Sequence, residues 1–234
     1  QLQSSAASDV YKRQVINPEG VPKDGTIGVV VSGGFDSSIL WHIVYGICLE
    51  RGQKCVPFTV PKNDGALSYA NRMLDWSWQH YGGKRKHPIV INANGVDWSR
   101  KDYQGDEVAE QLLGGLRDIT DNNMADYIFT GVNAYPPDYE TLCSYHVPGP
   151  RNLARETDKE YNGRKIKSFI FQPFADFTKA DLVSFAFDLG ILHDISEFSH
   201  SCVENIRGRC GECFWCKERE WGFEQAGHVD IGSN

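Results

Sequence analysis

Six residues near the amino end have the types and spacing to hold a phosphate chain: Ser32, Gly33, Gly34, Asp36, Ser37 and Ser38, in the run S-G-G-F-D-S-S. Glycines adopt dihedrals that turn successive backbone N–H groups toward one anion. Asp36 and Ser37 stand where a helix N-cap belongs, and the amino end of a helix adds a field that favours negative charge. A Walker loop carries its own lysine in G-x-x-x-x-G-K-[ST], and no such string occurs in this chain. A tight strand-to-helix turn with an ordinary cap is the plainer meaning of a Gly-Gly pair. Against it, the whole S-G-G-x-D-S string follows the apolar run Val29–Val31 directly.

A second group of chemistry-bearing residues lies near the other end. Cys202, Cys210, Cys213 and Cys216 follow the pattern C-x7-C-x2-C-x2-C, with Gly208 and Gly211 giving the segment room to turn. Four thiolates so close in sequence suit tetrahedral Zn²⁺ in a closed structural site, at about 2.3 Å per sulfur. An iron–sulfur cluster is the rival, because C-x2-C-x2-C also opens the bacterial ferredoxin run. Here Lys217, Glu218, Arg219 and Glu220 follow the last cysteine and the fourth cysteine lies upstream, which favours zinc. Cys48, Cys55 and Cys143 are scattered and read as small buried residues.

These two groups need a frame. Apolar runs at Thr26–Val31, Lys54–Val60, His87–Asn92, Asp126–Gly131 and Lys167–Phe174 predict strands, and Ser37–Arg51, Ala66–Tyr81, Asp106–Asp118 and Lys179–Leu189 predict helices. Alternation at this spacing predicts an α/β fold: a mostly parallel five-stranded sheet with helices on both faces. In such sheets ligands bind beyond the carboxyl ends of the strands, where the S-G-G loop falls. The polar stretch from Pro136 to Arg164 is too long for a simple connector and is expected to be a lid, with "EYNGRK" as a hairpin tip.

Composition bounds the partners. The chain has 234 residues, 41% of them hydrophobic, and a net charge of -7. Its longest basic run is the short "GGKRKH" at Gly82–His87, so no basic stripe for stable nucleic-acid binding is expected. A small-molecule partner fits better. No stretch approaches a membrane span and no charged-then-apolar leader is apparent, so the seven cysteines are expected in a reducing cytoplasm, as metal ligands rather than disulfides. Ser5–Gln14, "SAASDVYKRQ", looks like a translated sequencing-library adapter, and residues 1–14 are set apart as a leader.

The string S-G-G-x-D-S is the mark of the PP-loop ATP pyrophosphatases, which this chain resembles. The resemblance implies an adenine nucleotide alpha hydrolase-like fold for residues 15–200, with ATP as the nucleotide and Mg²⁺ as its counter-ion. Such loops grip the β and γ phosphates together and leave the α-phosphate open to attack by a substrate oxygen. Val31, Ser32, Gly33, Gly34, Phe35, Asp36, Ser37 and Ser38 would hold the pyrophosphate, with Ser32, Asp36 and Ser37 acting in the reaction and Asp36 helping to hold the metal. Phe58, Thr59 and Val60, at the end of the second strand, would meet the adenine. Lys179, in a segment resembling the family's P-x-x-x-x-x-K helix start, would reach the phosphates; a solvated lysine in a first helical turn is the alternative.

The loop and the four-cysteine knuckle, with Arg219 and "GF" after it, together resemble the 7-cyano-7-deazaguanine synthases. "IFTGVNAYPPDYE", "FTKADLVSFAFDLGI" and "EQAGHVD" extend the likeness in order from about Ile27 to Asp230. It implies a ligase that joins 7-carboxy-7-deazaguanine and ammonia at the expense of ATP, works as a homodimer, and carries Zn²⁺ in a carboxyl-terminal segment, residues 201–234. Gly131, Asn133 and Asp138 would then face the acceptor, although each also suits plain turn chemistry. "TVPKNDGA" (Thr59–Ala66) and "AYPPDYE" depart from the family's pattern where the base should sit. A relative that adenylates a different carboxylate stays open, as do a sulfur-transfer or tRNA-modifying enzyme and a non-catalytic nucleotide binder. The acidic balance and the isolated Cys48, Cys55 and Cys143 count against sulfur transfer.

Overall fold

A computed structural model of the protein describes residues 20–61, 64–91, 105–143 and 169–232, with the backbone alone for 105–110 and 169. The adapter-like leader, the "EYNGRK" tip and the greater part of the expected lid lie outside the described residues.

Strands covered on both faces are apolar throughout rather than alternating, and β1 (Ile27–Val30) is buried at every residue. It lies at the centre of the sheet. β2 (Cys55–Thr59) and β4 (Tyr127–Phe129) flank it, with β3 (Ile89–Val90) and β5 (Phe169–Phe171) outside them. The order is β3-β2-β1-β4-β5 and every pairing is parallel, so the expected five-stranded sheet forms. Each strand is shorter than the apolar run that announced it, at both ends.

Side chains alternate between two cores, as the period of a strand requires. Ile27, Val29, Val31 and Phe129 face α1 (Phe35–Glu50), while Val30, Phe58, Val60 and Ile128 face Leu116 and Ile119 of α3 (Gly105–Asp121). α1 is buried around most of its circumference. It packs on β1 and β2 and is covered from outside by α2 (Ala66–Tyr81), α5 (Lys179–Asp188) and α6 (Leu192–Phe198). A helix in that position can carry Trp41 fully buried, provided its indole N–H is satisfied, and Nε1 donates to Ser77 Oγ at 2.9 Å.

α2 forms over the expected span, and α5 starts at Lys179 as expected. Thr178 caps α5 in a capping box with Asp181. Three helices lie outside the sequence expectation: α4 (Tyr139–Leu142), α6, and α7 (Phe214–Gln225), which grows directly out of the cysteine segment. α7 packs along α5. Among the described residues no helix is long and apolar enough to cross a membrane.

Gly28, in the middle of β1, shows how tightly the second core is closed: a Cβ there would meet Phe58 Cε2 at 2.8 Å and the Ala125 Cβ at 2.9 Å. Gly28→Val is expected to lower unfolding stability by about 1–3 kcal/mol. Gly20→Ala, at a position with nothing within 4 Å of the added carbon, should leave it unchanged. Urea unfolding of the two variants measures the contrast.

Candidate nucleotide site and cysteine centre

Beyond β1 the chain turns through Val31–Gly34 into α1. Gly33 adopts φ +75°, and a Cβ there would fall 2.3 Å from Tyr69 Cβ and 2.5 Å from Ala70 N at the start of α2. Conformation and space each demand glycine. Hydroxyls knit the turn together. Ser37 Oγ lies 3.1 Å from Ser32 Oγ and donates to Gly34 O at 3.1 Å, while Ser38 Oγ donates to Gly34 O at 2.8 Å. The N-cap itself is Gly34, so Asp36 and Ser37 fall in the first helical turn and not at the cap. Ser37 is drawn back onto the loop, and Asp36 turns outward to a different partner.

That partner is Lys179, 143 residues along the chain, whose Nζ donates to Asp36 Oδ1 at 2.6 Å and also to Oδ2. The lysine is buried, which excludes the solvated alternative. Its stem lies across Gly222 of α7, where a Cβ would come within 2.5 Å of Lys179 Cγ. Glu218, one turn earlier on α7 and buried, faces the same ammonium at 3.6 Å. The loop therefore meets an ammonium from α5 that its own sequence lacks, and α7 supplies the second carboxylate and the space for its stem.

The other expected contacts divide. Gly131 lies against the loop helix: a Cβ there would be 3.0 Å from Ser37 N. Asn133 is buried nearby, its Nδ2 donating to Ala134 O at 3.0 Å. Asp138 is exposed at the start of α4. Thr59 Oγ1 donates to Val31 O at 2.7 Å and ties β2 to the loop, and Val60 is buried beside it. The Phe58 ring is not at the loop, being fully buried in the second core over Gly28.

Cys202, Cys210, Cys213 and Cys216 converge, their sulfurs all within 4.8 Å of one another. Backbone N–H groups of Asn205, Cys210, Glu212 and Cys213 donate to these sulfurs at 3.2–3.5 Å. Hydrogen bonds from Cys213 and Cys216 hold the Cys202 thiol far below the ordinary range. The same sharing pushes Cys213 up strongly, and Cys216 up to about 12. Four converging sulfurs, with backbone donors already aimed at Cys202 and Cys210, fit a thiophilic cation such as zinc. Cys48, Cys55 and Cys143 lie apart from this cluster and are buried.

Sequence reasoning passed over the residues that join the two sites. The His200 backbone N–H donates to Gly33 O at 2.9 Å, and its ring lies flat on Tyr69 with centroids 4.2 Å apart. Two residues later comes Cys202. Arg219, fully buried three residues after Cys216, donates to Ser196 O and Ser199 O at 2.8 and 3.1 Å and bridges Asp230 at 2.8 and 2.9 Å. Its guanidinium also lies 5.5 Å from the centroid of the Phe35 ring, the first residue of α1. The advance signals were Arg219 and "GF" following the cysteines, and Asp230 in "EQAGHVD".

A parallel sheet of this order with a serine-glycine loop at the end of its central strand defines a PP-loop protein of the adenine nucleotide alpha hydrolase-like class. A U34-tRNA thiolase from Methanococcus maripaludis, solved with its [4Fe-4S] cluster, shares the fold, with a TM-score of 0.54 at 12% identity over 94% of this chain and 73% of that one. Residues 121–227 match the family described as Queuosine biosynthesis protein QueC. A 7-cyano-7-deazaguanine synthase of Persephonella marina is 21% identical over 229 residues, 89% of this chain and 96% of the relative. That of Cellvibrio japonicus is 34% identical over 113 residues, 44% of this chain and 45% of the relative.

Burial opposes both members of the Arg219–Asp230 pair. For Asp230 the upward push of burial is outweighed by the bonds and charges of Arg219 and Arg209, which hold its carboxyl below the usual carboxylate range. A carboxylate depressed in the folded state stabilises the fold above its unfolded value and ceases to do so as pH falls through the folded one. Asp230→Asn is therefore expected to melt lower than the wild type at pH 7. The gap should narrow as pH drops below about 4, as followed by thermal denaturation across pH.

Proposed function

We propose that the protein is an ATP-dependent ligase that converts 7-carboxy-7-deazaguanine and ammonia into 7-cyano-7-deazaguanine, releasing AMP and pyrophosphate. The observation that carries this reading is the loop at the end of β1 with Lys179 drawn in to Asp36, on a chain of which 89% aligns with 96% of a synthase of that name. The four-cysteine cluster beside the loop supports it.

The loop N–H groups and the hydroxyls of Ser32, Ser37 and Ser38 grip the β and γ phosphates of ATP, along the run from Val31 through Phe35. The amino end of α1 adds its orphan donors. Lys179 bonds the departing pyrophosphate, and Asp36 is placed to hold Mg²⁺, a hard cation suited to a carboxylate and phosphates. When bound, Mg²⁺ neutralises phosphate charge. The carboxylate of the acceptor attacks the α-phosphorus, the bond to pyrophosphate breaks, and an acyl-adenylate forms. Ammonia then attacks the acyl carbon, AMP leaves, and loss of a proton gives the amide. A second ATP adenylates the amide oxygen, and departure of AMP with the two nitrogen protons leaves the nitrile. The protein works by positioning and fixed charge, with Gly131, Asn133 and Asp138 toward the acceptor and Thr59 and Val60 toward the adenine. Cys202, Cys210, Cys213 and Cys216 hold zinc as scaffold. We place the enzyme in the cytoplasm, where thiolates stay reduced, and as a homodimer by analogy with its family.

A single-turnover assay with 7-carboxy-7-deazaguanine, ammonium, Mg²⁺ and ATP tests the reading. Two AMP per nitrile and no ADP are expected, and Asp36→Ala should slow AMP formation by about a hundredfold. ADP and phosphate as products would refute the PP-loop chemistry. A reaction that stops at the amide would refute the second adenylation, and no consumption of this acceptor by folded protein would point to another carboxylate.

Purified protein should also be colourless with one zinc per chain, and a chelator should unfold its carboxyl-terminal segment. A brown protein would assign the cysteines to an iron–sulfur cluster.

A further inference from the structure

Lys179 has two carboxylate partners of different character. Asp36 belongs to the loop and is 20% exposed, on the side where a nucleotide enters; Glu218 is 1% exposed and approaches the ammonium from the core. Glu218 cannot move away easily. Two residues before it stands Cys216 of the cysteine cluster, and the residue after it is Arg219, fixed by Ser196, Ser199 and Asp230. Asp36 sits on the first turn of α1 and holds Lys179 by its side chain alone. A carboxylate that turns to a divalent cation has to release the ammonium it holds, and a buried ammonium left without a counter-charge is costly.

We propose that Glu218 is a positioning residue. It is a standing counter-ion that keeps the Lys179 ammonium paired in the core while Asp36 passes from Lys179 to the divalent cation of bound Mg-ATP. Lys179 thereby stays charged and in place, with its remaining N–H groups directed to the phosphates. The inference rests on the ATP-binding reading above and adds to it a residue on α7 that lines no part of the loop.

The test is calorimetric binding of a non-hydrolysable ATP analogue to zinc-loaded protein, in Mg²⁺ and again in Mg²⁺-free buffer without chelator. In Glu218→Gln, Asp36 becomes the sole counter-charge of Lys179 and resists transfer. Affinity in Mg²⁺ is expected to fall by about tenfold, and the Mg²⁺ concentration for half-saturation to rise with it. Without Mg²⁺ affinity should be unchanged or higher, because the site has lost one negative charge. Glu218→Asp, shorter by one methylene, should show the same split at smaller size, and it serves as the test if the glutamine variant does not fold. Equal weakening in both media would assign Glu218 to packing and overturn the proposal, as would affinities unchanged in both. Wild-type protein that binds no analogue in either medium would overturn the nucleotide-site reading itself, and this inference with it.

Discussion

The loop after β1 has no lysine of its own, and most of the architecture around it follows from burying the ammonium that Asp36 holds. The ammonium of Lys179 reaches Asp36 across 143 residues of sequence. To arrive there it must be buried, and a buried ammonium requires carboxylates close by and room for its stem. α5 supplies the lysine at its first turn, fixed by the capping box of Thr178 and Asp181. α7 supplies both of the other needs, Glu218 for charge and Gly222 for space.

α7 is in turn held by the cysteine cluster at its start and by Arg219 within it. Arg219 fastens the end of α6 and the segment Ser199–Ser201, and from that segment the His200 amide reaches the Gly33 carbonyl. The other side of Gly33 is closed by Tyr69 and Ala70. The anion loop is thus gripped between α2 and the approach to the cysteines. What reads in sequence as two separate motifs is in space one continuous body.

This explains which parts were legible in the sequence. The loop, the cysteine cluster and the parallel sheet announce themselves through short spacings and apolar runs, and α2 even has the expected ends because both of its limits are marked by glycine. The place of Lys179 was ambiguous, since a lysine in a first helical turn carries no mark of the direction it faces; only the glycine 43 residues later, on another helix, decides that. α7 was hidden because Glu218 and Arg219, charged residues on its buried face, break the apolar period that betrays a helix. The side that Phe58 takes was not legible for a related reason: a strand end points alternate residues to opposite faces, and Phe58 takes the face away from α1.

The dependence of the loop on α7 has a bearing on biosynthesis. Translation delivers a chain from its amino end, and early segments collapse before later ones exist. The serine-glycine turn and its neighbours β1, β2 and β4 emerge well ahead of Lys179, and the groove along Gly222, the Glu218 counter-charge and the Arg219–Asp230 clasp leave the ribosome later still. Until α7 has docked, the Lys179 ammonium lacks its inner carboxylate and the groove for its stem, and the turn lacks a fixed partner for Asp36. The Asp36–Lys179 pair thereby registers that the domain has closed.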